Sequence, residues 1–166
     1  MADTGLLSPA ANGDDYSQWA TPTNAYLSNN AYASPTAADQ LHDYYNFTIT
    51  IPAESTINGI EASLEGHAFN ANGTIIGIEL SWDGGANYTA TGYAAAYPST
   101  ADETDVLGGA ANLWGREAWA ISEFTDANFR ARVDSTGAAS KCFLDHLQVK
   151  IYYTEATVRR IFITHA

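Results

Sequence analysis

Between Ile51 and Tyr153 the chain repeats one pattern: short runs in which apolar and polar residues alternate, separated by Gly, Asn, Asp or Pro. The runs read IPAESTINGIEASLEGHAFNANGTIIGIELSWDGG, LWGREAW, NFRARV and LDHLQVKIYY. A period of two puts every second side chain on the same face of an extended strand. Such strands bury one face and leave the other to solvent, as antiparallel sheets do. The pattern predicts an all-β chain: an antiparallel β-sandwich, jelly-roll-like, with an extended N-terminal arm and a C-terminal extra strand.

Over residues 45–51, Phe47, Ile49 and Ile51 share a face, and Pro52 ends the run. Ile60, Ala62 and Leu64 then oppose Glu61, Ser63 and Glu65. Ile76, Ile78, Leu80 and Trp82 form an inward row. Asp83-Gly84-Gly85 reads as a hairpin turn, since its glycines tolerate positive φ, with a return strand over 88–93. Residues 94–112 read as a long loop, and residues 122–128 as one helical turn with Ser122 as N-cap. Phe129, Ala131 and Val133 alternate with Arg130 and Arg132. Leu147, Val149, Ile151 and Tyr153 mark the longest and clearest strand. The organisation expected is an arm over residues 1–40, a sandwich over 41–155 and a C-terminal strand or tail over 156–166.

Charge narrows the function. The chain has a formal net charge of −12, and all seven basic residues follow Gly115. Thirteen of the nineteen carboxylates precede that point. With no basic patch to displace counterions, binding to nucleic acid or to an anionic membrane is not expected. Cys142 is the only cysteine, so an internal disulfide is excluded, and its place in an apolar strand reads as a small core residue. The N-terminal residues have no basic, apolar Sec-type pattern, and no stretch is long and apolar enough to span a membrane as a helix. Synthesis in a cytoplasm without Sec export is the expectation.

IPAESTINGIEASLEGHA, LWGREAW with NFRARV after it, and LDHLQVKIYY resemble a β-sandwich domain of tailed-bacteriophage structural proteins, also seen in bacterial surface proteins. Upstream, YSQWATPTNAYLSNNAYAS is similar to the opening of that domain, with Trp19, Pro22, Asn24, Ala25, Tyr32 and Ala33 at matching places. The resemblance spans residues 16–153, whereas SWDGGANYT and VRRIFITHA depart from it. It implies a non-enzymatic protein of the virion surface, foremost a capsid decoration (cement) protein. Its partners would be the major capsid protein or other virion proteins, and itself as a homo-oligomer such as a trimer. The contacts would come from Trp19, Tyr26 and Tyr32 in the arm and from Val158, Arg159, Arg160, Ile161, Phe162 and Ile163 in the tail.

The alternative is a glycan-binding adhesion module of a tail fibre, head fibre or cell-surface filament. Its sugar contacts would be Trp114, Trp119 and Tyr88, with Asp83 and Asn87 as polar partners. Trp82 belongs to the inward row and reads as core. No cofactor is expected. Asp102, Glu103 and Asp105 offer oxygen ligands that calcium accepts, but they lack the EF-hand order. Glu61 and Glu65 on an exposed strand face read as solubilising rather than as a glycosidase pair. His42, His67, His146 and His165 lack metal-ligand spacing, and no serine sits in a nucleophile elbow.

Overall fold

The computed structural model describes residues 1–90, 92–135 and 142–156. The described chain is an antiparallel β-sandwich. Its strands are β1 (Ala2–Asp3), β2 (Ala11–Ser17), β3 (Trp19–Ala20), β4 (Ser34–Pro35), β5 (Leu41–Tyr45), β6 (Thr56–Ala68), β7 (Thr74–Ser81), β8 (Tyr93–Tyr97), β9 (Glu103–Gly108), β10 (Arg130–Asp134) and β11 (Cys142–Thr154). One sheet has the order β1-β11-β6-β9 and the other β2-β5-β10-β7-β8; β3 and β4 form a separate two-stranded pair.

The inward rows expected from the alternation form the core. Ile60, Leu64, Ile76, Leu80, Ala131, Val133, Leu147, Val149 and Ile151 are buried between the two sheets. Each large aliphatic side chain among them contributes roughly 1.5–3 kcal/mol by leaving water. The seam of the four-stranded sheet is the pairing of β6 with β11, from Thr56↔Thr154 to Ala68↔Cys142. A bulge between Leu144 and His146 inserts Asp145 into this seam.

The segment 1–40, expected as an arm laid over the sandwich or a neighbour, runs along the edges of the domain's own sheets. Ala2 and Asp3 pair with Tyr153 and Tyr152, Leu7 bridges Val149, and Ala11 and Asn12 pair with Tyr45 and Tyr44. The first 17 residues therefore edge one sheet and then the other. Unpaired main-chain groups at both sheet edges supply the reason, since even a polar, Asn- and Ser-rich segment can satisfy them.

Four expected elements shift. Residues 46–52 are not strand: Asn46 and Thr48 have φ of 59° and 55°, and the Thr48 amide donates to Asp126 Oδ1 at 3.1 Å. Phe47, Ile49 and Ile51 still pack on the core, so the side-chain pattern holds where the backbone does not. The return strand β8 begins at Tyr93, five residues after the bridge of Tyr88 to Ser81. The supposed loop 94–112 contains β9, which pairs Glu103–Gly108 with β6. At the outer edge of β8, the Ala96 amide donates to the Asp105 carboxylate at 2.6 Å. The short 3-10 helix is Ile121–Phe124; Glu123 reaches back to the Ala120 amide at 2.7 Å, so Ser122 is not its cap. The expected C-terminal strand at 158–166 lies outside the described residues.

Candidate functional site

The register of β10 sets the site. Arg130 pairs with Ser81, while Arg132 pairs with Asp43 on one side and Glu79 on the other. Phe129, Ala131 and Val133 enter the core, so the intervening guanidiniums are thrown onto the outward face of the five-stranded sheet. β2 brings Asp14, Asp15 and Tyr16 across that face, β5 brings Asp43 and Tyr45, and the β7–β8 connection brings Tyr88.

Arg132 lies between two rings, 3.7 Å from the Tyr88 centroid and 4.7 Å from that of Tyr16, and it pairs with Glu79. The two rings meet edge to face at 6.0 Å. Arg130 lies 4.3 Å over Tyr45, donates to Asp14 Oδ2 at 2.7 Å, and sits 3.8 Å from Asp15 and 3.6 Å from Asp43. The Arg130 side chain is 7% exposed and that of Asp43 is fully buried, against 57% for Asp14 and 43% for Asp15. Gly85, at φ +96°, lets the β7–β8 loop close on β2; a Cβ there would overlap the Asp15 carboxylate and sit 3.2 Å from the Tyr88 hydroxyl.

Burial pushes the Asp43 carboxyl upward; the amides of Tyr16 and Asp15 and the Arg130 charge oppose this without cancelling it. Burial, followed by the Asp43 charge, raises the Tyr88 phenol, which therefore stays protonated. Asp43 Oδ2, Tyr88 Oη, Arg130 Nε and Nη1, and Arg132 Nε are all buried without a hydrogen-bond partner among the described residues. Donors and acceptors thus stand side by side under three partly exposed tyrosine rings. A hydroxyl, which both donates and accepts, is the ligand group that suits such a set.

The other expected contacts lie elsewhere. Trp114 is wholly buried, and its indole N–H donates to Ile60 O at 2.9 Å; Trp119 is 5% exposed and donates to Leu113 O. Neither presents a face to a sugar, because each ring packs in the core and spends its N–H on a main-chain carbonyl. Trp82 is only partly buried, with Arg116 4.2 Å over its ring. Asp83 and Asn87 serve each other: Asp83 accepts from the Asn87 amide at 2.8 Å and from Asn87 Nδ2 at 2.7 Å. Tyr88 alone of that group reaches the cluster.

The arm residues are spent within the domain. Trp19 is buried, its amide facing His42 Nδ1 at 3.3 Å and its indole N–H donating to Gln40 O. Tyr26 accepts from Asn12 Nδ2 at 2.6 Å and bridges His146, and Tyr32 donates to Asp102 at 2.8 Å. Val158, Arg159, Arg160, Ile161, Phe162 and Ile163 lie outside the described residues. Asp102 and Asp105 turn to different donors, Tyr32 and Ala96, and no group of three or more His, Cys, Asp or Glu among the described residues could hold a metal ion. Sequence reasoning missed Tyr16, Tyr45, Asp43, Glu79, Arg130 and Arg132 as a group. The one signal was the FRARV alternation, which puts two cations outside a sheet of an otherwise cation-poor chain.

An open groove of about 590 Å³ lies further along the same sheet, lined by Asn72, Gly73, Thr74, Ile75, Ala96, Tyr97 and Pro98.

No family model matches the chain, and no curated protein does. Among solved structures it is similar to the CBM36-1 domain of a multidomain xylanase from the hindgut metagenome of Trinervitermes trinervoides, with 13% identity, a TM-score of 0.48, and coverage of 95% of this chain and 100% of that one. It is also similar to CBM32 of AlyQ in complex with 4,5-unsaturated mannuronic acid, with 12% identity, a TM-score of 0.46, and coverage of 87% and 96%. A third is the CBM22-1 xylan-binding domain from Paenibacillus barcinonensis Xyn10C, with 10% identity, a TM-score of 0.45, and coverage of 89% and 85%. These are loose likenesses of β-sandwich shape and say nothing of what this chain binds.

Proposed function

We propose that the chain is a non-enzymatic glycan-binding module whose sugar contacts lie on the outward face of the five-stranded sheet. The observation that carries this is the gathering of Tyr16, Tyr45 and Tyr88 around Arg130 and Arg132, with buried donors and acceptors that make no hydrogen bond just beneath the rings. Tyrosine rings offer apolar faces for sugar C–H groups, and the flanking Asp14, Asp15 and Glu79 carboxylates accept from hydroxyls. The unpartnered atoms are shielded, so a ligand reaches them by displacing a ring. A broad glycan array tests the reading: binding that falls in Tyr88→Ala and Tyr16→Ala supports it, and an array with no bound glycan refutes it.

A second reading is favoured by the ordered set of strand motifs that resembles tailed-phage structural proteins. In it the module sits on a virion, as a capsid decoration protein contacting the major capsid protein or as part of a fibre. Because residues 1–35 are strands and loops of the domain's own sheets, the decoration form lacks a free arm to lay across neighbours. A fibre-borne sugar-binding sandwich satisfies both readings. Copy number in purified particles separates them: hundreds per particle mean decoration, a handful mean a fibre, and none removes the virion.

A further inference from the structure

The outward face beside the tyrosine–arginine cluster is unusually bare. Along β7 and β8 the outward positions after Glu79 are Gly77 and Ile75, paired with Ala94 and Ala96. Gly77 adds no side chain to the row, and a Cβ there would stand 2.8 Å from Asp134 Oδ2, so that carboxylate would have to move aside. Ala94 and Ala96 are exposed. The row runs into the groove at Ile75 and Pro98, where Ile75 is 38% exposed, an apolar floor at the end of a polar face. Four residues of strand separate Glu79 from Ile75, or roughly 13 Å. With the groove added, that length holds several sugar units end to end.

The charges bordering the row are unbalanced. Asp14, Asp15, Asp43 and Glu79 surround Arg130 and Arg132, and both guanidiniums are already paired with carboxylates. Among the described residues of this face an anionic ligand would meet surplus like charge and no cation that is not already paired, which disfavours it.

Building on the sugar-binding reading of this face, we infer that the ligand is a neutral, linear saccharide chain. It lies along β7 and β8 from the Arg132–Tyr88 cluster to the Ile75–Pro98 groove and is gripped along its length rather than by a terminal unit. Ala94 stands midway along that path, so a long side chain there would block it without touching the cluster.

The test is calorimetric titration of the whole chain with β-1,4-linked di-, tetra- and hexasaccharides of xylose, glucose and mannose, and with a galacturonate hexasaccharide. The hexasaccharide of a recognised neutral sugar should bind about tenfold or more tighter than its disaccharide, and the galacturonate chain more weakly than either. Ala94→Arg, at an exposed position that should leave folding intact by circular dichroism, should erase the gain with length and keep disaccharide affinity. Equal affinity for di- and hexasaccharide, or a length gain that survives Ala94→Arg, overturns the extended path while leaving a sugar site in place. Preference for galacturonate overturns neutrality. Absence of binding to every chain, together with a blank glycan array, overturns the sugar-binding reading itself.

Discussion

The two outward faces of this sandwich carry similar residues and use them in opposite ways. On the four-stranded sheet, Lys150 Nζ donates to Glu61 at 2.8 Å and Tyr152 donates to the other Glu61 oxygen at 2.7 Å. Ser8 Oγ meets His146 Nε2 at 2.7 Å, and the buried Asp145 accepts the amides of Asn29 and Asn30. Every one of these polar groups is spent on the chain itself, and the segment carrying Tyr26 to Ala33 bridges β11 at His146 and Leu144. On the five-stranded sheet, Arg130, Arg132, Asp43 and Tyr88 keep buried atoms that make no hydrogen bond among the described residues, beneath partly exposed rings, and Arg130 meets Asp15 and Asp43 only at ion-pair distance. Buried polar groups without partners are costly and uncommon in folded proteins. Their concentration on one face, beside a saturated one, is what separates a surface that holds the fold from the one proposed above to meet a ligand.

Substitutions should break that contrast in graded steps. The largest effect is expected for Arg130→Ala, which leaves Asp43 buried without its cation and should cost about 3–5 kcal/mol in denaturant unfolding. Restoring part of the loss with Asp43→Asn in the same chain would confirm the cause. Asp145→Ala strands two amides on the opposite face and should cost about 2–4 kcal/mol, yet leave glycan affinity unchanged. If affinity fell with it, the faces would not be independent.

Acid should weaken the fold from beneath the five-stranded sheet. Burial lowers the His42 imidazole from 6.5 to about 4. In the window between those values the unfolded chain takes up a proton that the folded chain refuses. Stability should therefore drop as pH falls from 6.5 towards 4, by up to about 3 kcal/mol. NMR titration showing His42 neutral at pH 5 would bear this out, and a midpoint near 6.5 would contradict it. Tyr88→Ala should cut glycan affinity by about tenfold, close to 1.4 kcal/mol, with little change on the other face. Lys150→Ala should be smallest, below about 1 kcal/mol in stability and without effect on binding, because its pair with Glu61 is partly solvated.

Alternation made most of the sandwich legible in advance. Ile60-Ala62-Leu64, Phe129-Ala131-Val133 and Leu147-Val149-Ile151 are core rows as their period of two requires. The register of an extended strand leaves little freedom once one face is apolar. Alternation fails where local backbone departs from it: Phe47, Ile49 and Ile51 keep the apolar rhythm while Asn46 and Thr48 take positive φ. Nor does it reveal an edge strand with little apolar content, which is why β2 in ANGDDYS and β9 in ETDVLG read as arm and loop. Trp114 beside Gly115 looks like loop but is fully buried, whereas Trp82, read as core from its inward rhythm, packs against the core with Arg116 over its ring. The site is assembled from β2, β5, β7, β10 and the residues around Tyr88, none adjacent in sequence, so only the register brings Asp43, Glu79 and Arg132 abreast.

The pairing of Cys142 with Ala68 has a kinetic consequence. The two long strands that close the four-stranded sheet come from residues 56–68 and 142–154, so neither can form its pairing until much of the chain is made and collapsed. Contacts of such long sequence separation are assembled slowly. The lone thiol lies at the far end of this seam, buried and pushed up to about 12 by burial, so it is unreactive once the strands zip. In a refolding chain the moment at which Cys142 stops reacting with a thiol reagent therefore times the closure of the sandwich, with no label added to the protein.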